Sequence, residues 1–303
     1  MPFFQAAPLA RTLVTGANGF TGRYLVEKLR AGGHTVIETT DVHDEPETST
    51  RLYLDITSHD ACRRVIDRVR PDYIVHLAAI SFVGHDEPLD FYRVNVMGTR
   101  NLLEACVQVG HTPSKLLIAS SANVYGNVAS DAIDETFPLR PVNHYAASKA
   151  AMEKMVHAWF DRLPILIVRP FNYTGRGQSS NFLVPKIVEH FTGREPSIQL
   201  GNIDVARDFS DVRYVASVYE ALLDSDAAAE TVNVCSGTPY TVRDIVSSAS
   251  ELTGHELEIH ANAEFVRQTD VKMLAGSPAK LHSLVPSVES IPFVDTLRWM
   301  LVS

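Results

Sequence analysis

Tyr145 and Lys149 stand four residues apart in the run His144-Tyr145-Ala146-Ala147-Ser148-Lys149. On a helix that spacing turns a phenol and an ammonium to one face. A free tyrosine titrates near pH ~10 and is a poor acid or base at neutrality. A neighbouring cation favours the phenolate and lowers that value. An exposed lysine beside a packed tyrosine gives the same pattern, so the pair needs a companion to mean anything. The companion is Ser120-Ser121, directly after the apolar run Lys115–Ala119. A hydroxyl there can hold a carbonyl or alcohol oxygen. Ser121, Tyr145 and Lys149 then form a proton-handling set suited to work beside a hydride carrier.

The carrier's place is marked near the start of the chain. Arg11–Thr15 reads as a strand and runs into Gly16-Ala17-Asn18-Gly19-Phe20-Thr21-Gly22, followed by a helical pattern. Glycines allow a tight turn and a close approach of backbone to a pyrophosphate, and a helix N-terminus offers free N–H groups to an anion. The spacing is GxxGxxG rather than GxGxxG, but the physics is shared. Asp41 follows the next strand, 19 residues beyond Gly22. A carboxylate there accepts from the adenosine ribose hydroxyls and repels a 2′-phosphate, so NAD(H) is favoured and NADP(H) remains possible. Asp41 is also one of several acids in 41–47 that could simply be solvated. Asp55, ending a third strand, is read either as a contact to the adenine amine or as a helix N-cap.

The elements that must position these groups alternate. Strands are expected at 11–15, 35–38, 52–55, 73–77, 115–119 and 165–169, with helices at 22–30, 60–69, 91–109 and 143–160 between them. Such alternation predicts βαβ units and a doubly wound parallel sheet of Rossmann type, with chemistry at the C-terminal ends of the strands. After Pro170 the pattern loosens into a Gly/Ser/Asn/Gln-rich stretch, then helices near 184–191, 212–223 and 241–252 with short strands at 197–200, 231–234 and 256–260. The organisation expected is a leader at 1–10, a dinucleotide-binding domain at 11–170 and a smaller mixed α/β domain for substrate at 171–303, parts of which can return to the first.

With 303 residues, 45% of them hydrophobic, the chain can bury a large core. Its net charge of −9 argues against nucleic acid, which wants clustered Lys and Arg. Cys62, Cys106 and Cys235 are odd in number and widely spaced, against a disulfide framework or a zinc site. No apolar run approaches a membrane span, and residues 1–10 lack a signal-peptide pattern. A cytoplasmic protein with no metal is expected.

The segments TGANGFTG (15–22), LDI (54–56), HLAA (76–79), NVMGTRNLLEA (95–105), SSANVYG (120–126), YAASK (145–149) and RPFNYTGRGQ (169–178) together resemble the extended short-chain dehydrogenase/reductases over almost the whole chain. The resemblance implies a bound nicotinamide cofactor, nucleotide-sugar substrates and homodimers paired through the helices near 91–109 and 143–160. By position it gives the cofactor Gly16, Asn18, Gly19, Phe20, Gly22, Asp41, Asp55 and Ile56. It adds Leu77, Ala78, Ala79, Asn95, Ser120 and Pro170, with Tyr145 and Lys149 shared with catalysis. To the substrate it gives Ser81, Ser121, Asn123, Tyr145, Asn172 and Asn181. Within the family, RPFNYTGRGQSSNF (169–182), LGNIDVARDFSDV (200–212), NVCSG (233–237) and the stretch 267–271 are most similar to GDP-4-keto-6-deoxy-mannose reductases and GDP-mannose 4,6-dehydratases. That branch implies Arg207 and Arg267 as a clamp on the substrate diphosphate, with Asp270 beside it. Surface ion pairs are the plainer reading of the two arginines.

A dehydratase needs an extra acid and base, and the similar dehydratases carry Glu two positions after the catalytic hydroxyl. Asn123 stands there, and an amide exchanges no proton near neutrality. Reduction of a C4 ketone on a GDP-4-keto-6-deoxy-hexose is therefore the leading expectation. SSANVYG also resembles the epimerase segment, so an NAD-dependent 4-epimerase or dehydratase is the alternative, and a non-catalytic sugar-nucleotide binder the remote one.

Overall fold

The computed structural model describes residues 10–43, 45–128, 130, 132–262 and 272–302. Six parallel strands carry the first half: β1 Arg11–Thr15, β2 Thr35–Thr40, β3 Arg51–Tyr53, β4 Tyr73–His76, β5 Lys115–Ala119 and β6 Ile165–Pro170. The remaining strands are β7 Asn172–Thr174, β8 Ser197–Leu200, β9 Ala206–Asp211, β10 Glu230–Val234, β11 Pro239–Thr241, β12 Glu258–Ala261 and β13 Met273–Leu274. The main sheet has the order β10-β6-β5-β4-β1-β2-β3, all parallel, and reverses its winding beside β1. Its central strands are buried on both faces, which is why they read as unbroken apolar runs.

Helices α1 Phe20–Ala31, α2 His59–Val69, α3 Pro88–Phe91, α4 Thr99–Gln108 and α5 His144–His157 connect the strands. They are followed by α6 Leu183–Thr192, α7 Val212–Asp224, α8 Val242–Thr253, α9 Ala279–Leu284 and α10 Phe293–Leu301. One face of the sheet packs on α2, α4 and α5 through residues such as Ile66, Leu102 and Met152. The other packs on α1 and α7 through Leu25, Leu29 and Tyr219. Local chemistry agrees with these boundaries. The Ser58 side chain caps α2, and Arg70 ends it in the left-handed conformation before Pro71.

The expected helix over 91–109 is continuous over 88–108, but its middle, Tyr92–Gly98, is a π-helix. The wider turn surrounds Asn95, whose amide is committed to Ile80 and Ser148 on neighbouring elements, as described below.

The smaller layer contains β9 flanked by β11, β13 and β7, the pair β8–β12, and helices α6, α8 and α10 around their own apolar cluster. The strand expected at 231–234 is β10, and it joins the main sheet beside β6 instead of the smaller layer. Val232 and Val234 face the cluster on α1 and α7, whereas Asn233 points to the opposite side. Among the described residues no helix is long and apolar enough to cross a membrane.

Candidate active site

The turn after β1 sits directly against the end of β4. Gly16 has φ +70°, and a Cβ there would stand 2.7 Å from the Ala78 nitrogen. A Cβ on Gly22 would stand 2.3 Å from the Gly16 carbonyl oxygen, so this glycine serves the packing of α1 on its own turn. Gly19 is the N-cap of α1, with no side-chain cap and no acid in the first turn. The helix N–H groups and positive dipole end are left for an external anion, which fits a dinucleotide pyrophosphate. Behind the turn, the Ala78 N–H and the Thr15 hydroxyl meet at 3.2 Å, and Thr15 Oγ1 is 2.7 Å from His76 Nδ1. His76 Nε2 is 2.9 Å from Thr99 Oγ1, which itself donates to the Asn95 carbonyl. That order of donors puts the His76 proton on Nε2. Burial pushes the imidazole down to about 3, and the Lys149 cation adds to the shift, so His76 is neutral.

Ser121 caps a short 3-10 turn at Ala122–Tyr125, its hydroxyl accepting from the Asn123 N–H at 3.2 Å. Tyr145 is the second residue of α5, whose N-cap Asn143 accepts from the Ala146 N–H at 2.8 Å. Tyr145 and Lys149 are 7% and 4% exposed, so both lie beneath the surface of the cleft. Lys149 donates to the Ala119 carbonyl at 2.7 Å. The phenol is pushed up to about 12, mainly by burial; a hydrogen bond with Ser121 acts the other way. Burial brings Lys149 down to about 8, against the pull of Glu153. The sequence suggested that the lysine would lower the phenol. In this fold burial dominates. The phenol keeps its proton at neutral pH, as a donor to a ketone oxygen must, but burial makes it a weaker acid rather than a stronger one.

These groups line a cleft of about 1110 Å³ between the C-terminal edge of the main sheet and the smaller layer. Asn18, Asp41, Asp55, Ile56, Leu77 and Ala79 line the cleft as expected, as do Ser120 and Pro170. Asp55 does not cap α2; its carboxylate accepts from the Thr57 N–H and hydroxyl in a local turn. Asn95 stands apart: it is 1% exposed and absent from the cleft wall. Its amide accepts from the Ile80 N–H at 2.9 Å and donates to the Ile80 carbonyl at 3.1 Å and to Ser148 at 3.0 Å. It ties the loop after β4 to α5 and touches the cofactor side only through that loop. On the substrate side Ser81, Asn123, Asn172, Asn181 and Arg207 line the cleft. Arg267 and Asp270 lie outside the described residues.

Arg207 reaches the cleft because β9 alternates. Its neighbour Asp208 points inward, fully buried, and accepts from Ser236 N–H and hydroxyl and from Gly237 N–H at 2.7–3.0 Å. One strand thus offers a cation to the cleft and anchors the NVCSG loop behind it.

The sequence reading missed several wall residues. Tyr173 on β7 stacks on Phe20 at 6.1 Å and shares a 2.7 Å hydrogen bond with Thr21. It lay inside a quoted motif, but nothing in its spacing pointed to the glycine turn. Lys186 on α6 adds a second cation, donating to the Gln199 carbonyl at 2.9 Å. Phe82 and Phe182 meet edge-to-face at 6.4 Å at the rim, one from each layer. Arg51 on β3, outside the wall itself, bonds the wall residue Asn18 at 2.5 Å beside Glu38 and Glu45.

A family model described as GDP-mannose 4,6 dehydratase matches residues 13–286. The GDP-6-deoxy-D-talose 4-dehydrogenase of Aggregatibacter actinomycetemcomitans is 37% identical, over 89% of this chain and 90% of its own. The GDP-6-deoxy-D-mannose reductase of Pseudomonas aeruginosa is 32% identical, over 96% of each chain. Among solved structures, RMD from Pseudomonas aeruginosa complexed with NADPH has a TM-score of 0.82 at 30% identity, covering 96% of this chain and 97% of that one.

Proposed function

The chain belongs to the GDP-mannose 4,6 dehydratase family, and from that premise we propose that it reduces the C4 ketone of a GDP-4-keto-6-deoxy-hexose. Bound at the glycine turn, the nicotinamide cofactor supplies the hydride. Ser121 holds the ketone oxygen, and Tyr145 gives that oxygen its proton. Lys149, below its ordinary range, is placed to follow the proton balance of the site and to hold the cofactor ribose. The products are the C4 alcohol and the oxidised cofactor. The observation that carries this reading is the meeting of buried Ser121, Tyr145 and Lys149 in the cleft that begins at the glycine turn.

Relatives named for dehydrogenation and for reduction at GDP-6-deoxy-sugars support the substrate class, since both names describe redox chemistry on a GDP-6-deoxy-hexose; talose and mannose differ in configuration at C4, so the two names leave that configuration open. Arg207 is the described half of the diphosphate clamp, and Arg267 its expected partner. For the cofactor, Asp41 favours NAD(H), while the NADPH-bound neighbour and Arg51 beside Asn18 make NADP(H) the second choice. Three buried free thiols suit a reducing cytoplasm, and the exposed sides of α4 and α5 suit a homodimer.

Incubation with GDP- and UDP-sugars, with NADH or NADPH, and identification of products by mass and NMR tests the proposal. Stoichiometric cofactor oxidation with a 4-keto sugar supports it. Isomerisation without net cofactor oxidation selects the epimerase alternative, which Asp41 keeps in view. Water loss from GDP-mannose would overturn the reading of Asn123.

A further inference from the structure

The catalytic groups reach the cleft from two elements, and one buried side chain on a third, β6, joins them. Ser121 opens the 3-10 turn that ends in Tyr125. Tyr145 and Lys149 lie on α5, and Glu153 is one turn beyond Lys149 on the same face. Arg169 sits on β6, next to Pro170 in the cleft wall. Its guanidinium donates to both Glu153 oxygens at 2.6–3.2 Å, and through Nη1 to the Tyr125 hydroxyl at 2.9 Å. It also lies over the Tyr125 ring at 5.0 Å. The Tyr125 hydroxyl donates to Asn233 Oδ1 of β10 at 2.7 Å, and the Asn233 amide donates to the Ile133 carbonyl at 2.9 Å. Glu153, Tyr125 and Asn233 are 0% exposed.

We propose that Glu153, Arg169 and Tyr125 are positioning residues for catalysis: they fix the Ser121 turn against α5 and place one carboxylate behind Lys149. Stability alone does not explain such a group, because well-packed apolar residues can replace buried ion pairs without loss. A planar fork with five occupied acceptor contacts, the Glu135 carbonyl at 3.4 Å among them, instead sets an angle and a distance, which packing does less strictly. The inference rests on the reading of Ser121, Tyr145 and Lys149 as the proton-handling set, whichever sugar is reduced.

Few charges compete with this arrangement. Lys149 faces Tyr145 and Glu153 on its own helix, neutral His76 from β4, Arg169 from β6 behind Glu153, and Tyr125 of the 3-10 turn behind Arg169. Arg93 of the π-helical segment pairs with Asp90, and Arg100 of α4 with Glu104, both toward solvent. Glu153 is therefore the anion that keeps Lys149 charged, and its effect is in that direction.

Two variants of the full-length protein test the network. In Glu153→Gln, NMR of isotope-labelled lysine side chains, with Lys149→Met for assignment, should show Lys149 titrating about one unit lower in pH than in wild type, since an anion is lost and the Arg169 cation is left uncompensated. This readout needs no substrate. In Tyr125→Phe all charges remain, and the hydroxyl's bonds to Arg169 and to Asn233 are cut. Its kcat should fall at least about tenfold with the cofactor KM unchanged, since small misplacements of reacting groups cost rate. An unshifted Lys149 in Glu153→Gln, or a wild-type kcat in Tyr125→Phe, would overturn the proposal. If Glu153→Gln does not fold, Tyr125→Phe decides. Wild-type protein inert toward every sugar nucleotide, but with Lys149 shifting as expected in Glu153→Gln, would count against the reductase reading and for the network.

Discussion

Replacing Tyr145 by phenylalanine removes one hydroxyl and leaves almost everything else in place. The ring is buried and packs near Phe91, with centroids 6.1 Å apart, and that contact survives. The lost hydrogen bond to Ser121 is worth about 1 kcal/mol, offset in part because a buried hydroxyl no longer has to be desolvated. Tm should therefore move by no more than a few degrees. Turnover should respond on another scale. A general acid contributes roughly 10²–10⁴-fold, or about 2.7–5.4 kcal/mol in the barrier. The assay is the loss of reduced-nicotinamide absorbance with a 4-keto sugar nucleotide, beside calorimetric binding of the cofactor, which should stay near wild type. The pH profile adds a constraint. The phenol, at about 12, keeps its proton well into the alkaline range, whereas Lys149, at about 8, is charged below that value and neutral above it. Reduction by wild type should thus decline above pH ~8 with the loss of the lysine charge. Turnover of Tyr145→Phe within about threefold of wild type would show that another group delivers the proton, and would refute the assignment.

Arg207→Ala should raise the sugar-nucleotide KM by roughly thirtyfold, the equivalent of about 2 kcal/mol for a charged hydrogen bond, with NADH affinity intact; an unchanged KM would place the diphosphate elsewhere. Calorimetry should find NADH tighter than NADPH, and Asp41→Ser should narrow the gap; clearly tighter NADPH binding in wild type would remove Asp41 from the ribose. His76 is held neutral in the fold, with its value lowered from 6.5 to about 3. The unfolded chain binds the extra proton between those values, so this contribution to stability is present above pH ~6.5 and is lost as pH falls toward ~3. Denaturation series in that window should give a shallower slope for His76→Gln than for wild type, and parallel slopes would refute the account.

The parallel sheet was legible because β1, β4, β5 and β6 are apolar on both faces and their connecting helices end at glycine, proline or capping residues. The glycine turn, Ser121 and the α5 pair were legible because chemistry fixes their types and their spacing. The less readable parts are polar groups buried by distant partners. β9, with the sequence ARDFSD, carries no strand pattern: Asp208 is satisfied by residues 236–237, and Asp211 caps α7 while bonding Arg213 and Thr296. Asn95 sat in a cofactor motif, yet its amide is consumed by Ile80 and Ser148. The same limitation hid Arg169, whose partners lie 16 and 44 positions away along the chain. The shift of Tyr145 upward was illegible for a related reason, since burial is a property of the fold, and only the nearness of Lys149 is visible in YxxxK.

The return of β10 to the edge of the main sheet bears on how the protein is made. Its partner β6 ends at Pro170, whereas β10 begins at Glu230, after an excursion through the smaller layer. A ribosome that has released only the first 170 residues has produced a β6 with an unpaired edge and a sheet face still lacking α7. That nascent intermediate exposes an apolar strand of the kind that templates aggregation. The nucleotide-binding half should accordingly fail as an isolated fragment, and recombinant versions cut near residue 170 should be insoluble. Versions ending beyond α9 should keep the sheet covered.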